Sequence, residues 1–487
     1  MKRIANFYGV FLNLMGACFA LPLITALIYR ESSSVRAFSL IMILCFVFSF
    51  IIRRICKSKI GSLEIRPRET FLLVATIWLI ASAIGALPYM MTGAAPNFFD
   101  AFFETASGFT TTGATIMDSV EELPRAVLMW RSLSQWLGGM GIIVLFVALL
   151  PSFGIKARNI AAAETPGPTV TKLSSTFSGT AQRLYIAYFI LTLAMTLFLM
   201  SGGLNLYDAV NHAFTTMATG GFSTYNDSIA HFHSNYVNWI VTVFMFLAGT
   251  NFELFFVLIF EGIKKPLKNE EFRLYSFLAV TSTVLISISL MLHGGYSDLF
   301  QAVTDSAFQV MTIMSTTGYA TVDFNLWPAF CLMLIIILMI IGGSSSSTAG
   351  GIKVVRLLVV FKIIKREILL KLNDRSVYDI RVDKRNLLPE TLSFIIGFIS
   401  TYTLTLMMAT ILVSIVDSGD IITNFTAVLS CISNVGPGLE NVGPTCTFSF
   451  YSDFSKFILS FVMIAGRLEL YTLFIIFTRY YWRPGKA

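Results

Sequence analysis

Four short stretches of this chain carry the residue types needed to replace the water around a small cation. Thr110-Thr111-Thr112-Gly113, Ala218-Thr219-Gly220-Gly221, Ser315-Thr316-Thr317-Gly318 and Ser433-Asn434-Val435-Gly436 are compact and polar, and each ends on glycine. A dehydrated monovalent cation needs several oxygen ligands, and extended backbone that turns at a glycine aims successive carbonyls toward one axis. The candidate filter is therefore Thr111, Thr112 and Gly113, Thr219, Gly220 and Gly221, Thr316, Thr317 and Gly318, and Asn434, Val435 and Gly436.

The elements that must hold these residues follow from spacing. Each terminal glycine stands thirteen residues after a residue able to cap a helix, namely Asp100, Asp208, Asp305 and Thr423. That register selects Gly221 rather than Gly220 in the second stretch. A helix of about 10 residues, at roughly 1.5 Å each, reaches only halfway through a hydrocarbon layer of about 30 Å, so the chain can turn back. Asp and Thr accept from the free N–H groups that open a helix. The negative end of each helix dipole then points at the glycine stretch, which favours cations. Small residues also permit close packing of membrane helices. The spacing shared by all four segments favours re-entrant pore loops around one axis.

Of 487 residues, 55% are hydrophobic and 13% charged, with a mean hydropathy of +0.73, which marks an integral membrane protein. Apolar runs at 7–29, 37–52, 70–91, 132–150, 184–201, 236–260, 274–292, 327–361 with an interruption, 391–416 and 454–478 predict ten helical spans. All but six of the 35 Lys and Arg fall at the ends and loops of one side. By the positive-inside rule both termini are then cytoplasmic, and all four loops begin on the outer side. The net charge of +7 is accounted for by this face and its contact with lipid, without nucleic acid. Lys2 and Arg3 precede an apolar run longer than a signal-peptide core, so the first span is expected to be retained. The six cysteines show no metal-ligand spacing and read as small packing residues.

The glycine spacing divides the chain into an all-α polytopic arrangement: a two-span prefix at 1–60 and four units of span, pore helix, filter and span, at 61–155, 156–265, 266–385 and 386–487. The stretches 152–183 and 362–390 read as loops. In the third unit Gly342-Gly343-Ser344-Ser345-Ser346-Ser347-Thr348-Ala349-Gly350-Gly351 interrupts an apolar helix. The preceding fifteen apolar residues cover about 22 Å and end before the membrane does. Irregular backbone at that depth is tolerated only inside protein or along water, which suits a gate beneath the filter. A flexible linker is the plainer reading. Arg467 lies inside the last apolar run, where a cation is costly unless paired or wet. Glu253, in the sixth run, is its expected counter-charge. Gly138, Gly139 and Gly141 read as packing glycines. Asp118, Glu121 and Glu122 follow the first loop, where they either raise local cation concentration or form an ordinary solvated face.

FFETASGFTTTGAT, QWLGGMGIIVL, ATGGFST, STTGYAT, GGSSSSTAGGIKVVRL, SNVGPGL and GRLELYTL together resemble the Trk/Ktr/HKT superfamily of potassium transporters, and within it the bacterial TrkH-type uptake subunits. The resemblance runs from the prefix to the last helix. It implies potassium uptake across a bacterial inner membrane, with K+ bound at the filter residues and no organic cofactor. It also implies a homodimer whose protomers each hold a pore, working with a cytosolic nucleotide-binding regulator of the TrkA type. Glycine at all four filter positions resembles the potassium-selective members, whereas sodium-preferring plant relatives carry serine in the first loop. Arg467, on this resemblance, faces the 342–351 loop, donates to its carbonyls and obstructs cation flow.

Two other function classes compete. A proton- or sodium-coupled symporter with a midplane site between inverted repeats is opposed by repeats that all start on the same side. A membrane enzyme is opposed by the lack of HExxH, GxSxG or a phosphate-binding glycine motif, and by His212, His231, His233 and His293 lacking metal-ligand spacing.

Overall fold

The computed structural model describes residues 2–56, 67–141, 177–373 and 378–482. It is mostly helical, as the long apolar runs dictate. Among the described residues six helices are individually long and apolar enough to cross a membrane: Ala5–Ile28, Ser32–Cys56, Glu69–Thr92, Ala181–Ser201, Glu270–His293 and Pro389–Val416. The first two form the prefix. Each of the remaining four leads into a short re-entrant helix: Phe98–Phe109, Leu206–Met217, Leu299–Met314 and Ile421–Ser433.

Each re-entrant helix is followed by a glycine stretch and an inner helix: Arg125–Gly139, Asn235–Ala248, Ala329–Ile341 and Asp453–Arg467. Each inner helix packs against the re-entrant helix of the next unit, and Asp453–Arg467 returns to Phe98–Phe109, which closes the ring. Small residues make the approach possible. A Cβ on Gly138 would lie 1.8 Å from the Phe109 carbonyl oxygen, and one on Gly466 would lie 2.1 Å from that of Ile432. The reading of Gly138 as a packing glycine therefore holds.

Several expectations need correction. The runs 236–260 and 454–478 are not continuous spans: Asn235–Ala248 and Glu253–Glu261 meet at 92°, and Asp453–Arg467 and Tyr471–Phe477 at 112°. The first bend is filled by backbone from the 342–351 loop, since the Ser344 N–H donates to Gly249 O (2.9 Å) and the Phe252 N–H to Ser346 O (3.1 Å). The second turns on Glu469 and Leu470, both at positive φ. Counting each bent pair as one span gives up to eight among the described residues, and the expected span at 132–150 lies partly outside them. The stretch 362–390 is not a plain loop either. Helix Val354–Leu372 enters it, and Arg381–Val382 pairs antiparallel with Arg385–Asn386. Residues 142–150, and 152–176 of the expected 152–183 loop, lie outside the described residues.

The caps were also misplaced. Asn97 accepts from the Asp100 N–H (2.9 Å), Asn205 from Asp208 (2.9 Å), Asp298 from Phe300 (3.0 Å) and Asp420 from Ile422 (3.1 Å). The helices therefore begin earlier than Asp100, Asp208, Asp305 and Thr423, which lie inside the helices and are buried. An Asn or Asp a few residues upstream competed for the same role, and spacing from the glycine could not separate the two.

Candidate functional site

The four glycine stretches have one backbone shape. Thr111, Thr219, Thr316 and Asn434 all take left-handed conformations with φ of 55–58°, and Gly113, Gly221, Gly318 and Gly436 have φ between 78° and 103°. Four non-glycine residues held in that region at one register mark a shape imposed by the surroundings.

Their mutual placement is a closed cycle. A Cβ on Gly113 would lie 2.2 Å from Gly220 O, one on Gly221 2.0 Å from Thr317 O, one on Gly318 2.1 Å from Val435 O, and one on Gly436 2.7 Å from Thr112 O. Each glycine thus abuts the carbonyl that immediately precedes the next glycine of the ring. Gly221 occupies the equivalent position, as the thirteen-residue register requires. A cavity of about 120 Å³ opens beside all four glycines, with Asp118 and Arg131 also in its wall. Asp118 accepts from Thr447 Oγ1 (2.5 Å) and Glu121 from the Asn226 N–H (3.3 Å), so both have a structural task. Cys446 is an exposed residue in the same wall, unlike the buried Cys45, Cys331 and Cys431, and does not fit the packing role expected for it.

Polar side chains behind the stretches fix them, and sequence reading missed most of these. Nine residues before each glycine stand Glu104, His212, Gln309 and Ala427. Glu104 accepts from Arg131 Nε (2.8 Å), Thr115 Oγ1 (3.0 Å) and the Ile116 N–H (3.0 Å). Arg131 also donates to Ser223 O (3.1 Å), joining the first and second stretches. His212 Nε2 lies 3.0 Å from Ser223 Oγ, and its Nδ1 lies 2.8 Å from Asp208 O. Gln309 reaches Val322 O at 3.4 Å. Ala427 has no polar atom to offer. There Ser430 Oγ donates to Gly436 O, and Asn434 Nδ2 donates to Thr112 Oγ1 (3.0 Å) across the seam to the first stretch. Gln135 clamps the second stretch, donating to Gly220 O (2.6 Å) and accepting from the Phe222 N–H (3.1 Å).

A buried Lys456–Asp100 pair (2.6 Å) ties the last inner helix to the first re-entrant helix. Arg131 and Lys456, counted with the outer side, are both buried. The available signal was Glu104 and Asp100 within otherwise apolar helices, each requiring a partner. In the loop beyond the second stretch, burial and the Asp208 carboxylate push the Tyr225 phenol up to about 12, which keeps it a donor to that carboxylate (2.9 Å).

The 342–351 loop lies against the inner ends of the ring. Gly350 N donates to Thr316 Oγ1 (2.8 Å), and Thr348 Oγ1 donates to Met217 O (3.1 Å) and Ala248 O (3.2 Å). A Cβ on Gly350 would fall 2.1 Å from Ser433 O. Backbone this buried and this bonded to its surroundings is not a flexible linker. Arg467 ends the last inner helix and donates to Thr348 O (2.8 Å), Gly138 O (2.6 Å) and Gly139 O (2.5 Å). It therefore touches the loop and the end of the first inner helix together, and Gly138 and Gly139 serve as acceptors as well as packing surfaces.

The expected Glu253–Arg467 pair is absent from the ion pairs among the described residues. Glu253 opens the helix beyond the 249–252 bend, and Glu469 pairs with Arg356. Glu253 was expected on a continuous helix, and the bend at 249–252 redirects it. Lys353 and Arg356, counted as cytoplasmic loop cations, are buried beneath the loop, with Lys353 Nζ donating to Ala349 O. Among the described residues no group of three or more His, Cys, Asp or Glu side chains is placed to hold a metal ion.

Comparison with known proteins fits this arrangement. The family model of the TrkH cation transport proteins matches residues 37–482. The chain belongs to the TrkH family. The Trk system potassium uptake protein TrkH of Escherichia coli K12 is 35% identical over 487 residues, covering 99% of each chain. The TrkG protein of the same strain is 32% identical over 471 residues, covering 95% of this chain and 94% of its own. The crystal structure of the potassium transporter TrkH from Vibrio parahaemolyticus superposes with a TM-score of 0.89 at 32% identity, covering 99% of each chain. A TrkH-family chain is a membrane transport protein and not an enzyme.

Proposed function

We propose that this chain carries potassium across the bacterial inner membrane through a selective, gated, channel-like pore, as the ion-translocating subunit of a Trk-type system. The observation that carries the reading is the cycle of four glycines, each seated against the carbonyl before the next, with one buried loop lying under it. In this reading the filter is formed by residues 111–113, 219–221, 316–318 and 434–436, whose carbonyls take the place of the hydration shell. K+ is bound there as cargo. The four re-entrant helices direct their carbonyl ends at the same place, which favours cations without a fixed acid in the path. The 342–351 loop and Arg467 form the gate, the guanidinium holding the loop and repelling cations. Glu104, which neutralises Arg131 beside the filter mouth, keeps that second cation from opposing entry.

The four units at 61–155, 156–265, 266–385 and 386–487, the prefix at 1–60, cytoplasmic termini, a homodimeric assembly and a TrkA-like cytosolic regulator belong to the same proposal. The family relationship and the names of the relatives support them. A symporter with a midplane site is not favoured, because the re-entrant helices repeat in one sense around the ring. The test is rubidium uptake by potassium-transport-deficient cells, with and without a TrkA-like partner. Uptake that requires the partner supports the regulated pore. Absence of uptake with the partner present overturns it.

A further inference from the structure

The geometry points to Glu271 as the residue that latches the gate loop shut from the side opposite Arg467. This deepens the proposed function and rests on the 342–351 loop being the gate.

Glu271 belongs to the first span of the third unit, not to the loop, and is only 4% exposed. Its two carboxylate oxygens are used separately. Oε1 accepts from the Ser345 N–H at 2.6 Å, and Oε2 accepts from Ser345 Oγ at 2.7 Å. One carboxylate therefore holds the loop at Ser345 through both its main-chain and its side-chain donor. Arg467 holds the middle through Thr348 O, from a different unit. The loop thus spans two anchors of opposite charge on separate elements.

The two anchors do different work. Arg467 contacts main-chain carbonyls of the loop and of 138–139, so its removal alters packing and local charge together. Glu271 donates nothing and touches only loop donors in these bonds, so weakening it loosens the loop while leaving the ring of glycines untouched. Hydrogen bonds to an ionised acceptor are among the stronger ones in proteins, and loss of such an acceptor leaves a buried N–H unsatisfied. The open arrangement, in which the loop is withdrawn, must give up these bonds. A weaker acceptor therefore shifts the population toward open. Glu271 is in this sense a positioning residue for gating.

The test is rubidium flux in proteoliposomes holding the full chain without its regulator, comparing the parent with Glu271→Gln, Glu271→Asp and Ser345→Ala. The glutamine keeps one acceptor oxygen and loses the charge, and the aspartate keeps the charge but is one methylene too short. The alanine removes only the Oγ bond. The expected result is a rise of about tenfold for Glu271→Gln and for Glu271→Asp, and a smaller one for Ser345→Ala, each with the rubidium-to-sodium preference of the parent. Glu271→Gln combined with Ser345→Ala should add little to Glu271→Gln alone, because the two changes remove the same contact. A merely structural role would lower folded yield and leave the flux per folded protein unchanged, and that result in either Glu271 variant overturns the inference. If Glu271→Gln does not fold, Glu271→Asp and Ser345→Ala decide the matter by the same readout. Failure of the underlying gate reading shows separately, as a parent that carries no rubidium even with its regulator, or as loop deletions that leave flux unchanged.

Discussion

Replacing Gly221 with alanine tests the ring most sharply. The added Cβ meets two obstacles: a backbone at φ +78° and the Thr317 carbonyl oxygen at 2.0 Å. A side chain in the left-handed region costs about 1–2 kcal/mol. Real contacts of this kind stay beyond 3.0 Å, so the carbonyl must recede by about 1 Å. Oxygen sites that tell one cation from another differ by roughly 0.3 Å in ion–oxygen distance, so a shift several times larger spoils the site. If even about 1.4 kcal/mol of the strain falls on the bound-ion geometry, discrimination drops about tenfold. Gly220→Ala makes the control. Its Cβ would meet the end of the Gln135 side chain at 2.4 Å, which can move where a backbone carbonyl cannot. Permeability ratios from reversal potentials in reconstituted vesicles measure both variants. Gly221→Ala should lose at least tenfold in potassium preference over sodium and should lose more than Gly220→Ala. A folded Gly221→Ala with the parental ratio, or a Gly220→Ala that is the more damaged, refutes the ring and its register.

Further outcomes are expected. Gly113→Ser should lower potassium preference, and Gly436→Ala should be the mildest alanine change at the four glycines, because its Cβ would stand 2.7 Å from its neighbour rather than near 2 Å; vesicle permeability ratios check the order. Glu104→Gln strands Arg131 in a site where the pair is 0% and 2% exposed, so thermal unfolding should register a loss of about 3–5 kcal/mol, with Glu104→Gln plus Arg131→Gln recovering part of it. Deletion of residues 344–347 should raise rubidium flux without the regulator at unchanged selectivity. Arg467→Ala should do the same, and Arg467→Lys should be intermediate, since lysine keeps the charge but not the planar fork that serves three carbonyls. Arg356→Ala and Glu469→Gln should combine non-additively in folded yield, because the two residues form an ion pair.

What could be read from the sequence depended on how local the signal was. Glycines at a fixed interval from a polar helix start exposed the four loops, and a Gly/Ser run inside an apolar segment exposed the broken helix at 342–351. Those features reside in contiguous residues. The bends at 249–252 and 468–470 are short, and the flanking residues are apolar enough to look continuous. Only the loop that fills the first of them explains why it forms. The bracing residues were harder still. Glu104 finds Arg131 across 27 positions, Lys456 finds Asp100 across 356, and Glu271 finds Ser345 across 74, and no periodicity announces such pairs. The charge count placed Lys353 and Arg356 with the cytoplasmic cations because their partners, the Ala349 carbonyl for one and Glu469 of the last unit for the other, are brought to them only by the fold.

Nine residues before each ring glycine the chain varies freely. Glu104, His212, Gln309 and Ala427 are four different chemistries at one register. In an assembly of four identical subunits, any change there is made four times at once, so the pore must either accept it whole or reject it. Here one codon alters one quadrant. On the proposed reading the third quadrant can surrender its inner helix to a gate, and the first can carry an ion pair at the mouth, while the glycine stretches keep one backbone shape in all four. Division of labour of this kind is closed to a ring of four identical subunits and open to four units written along a single chain.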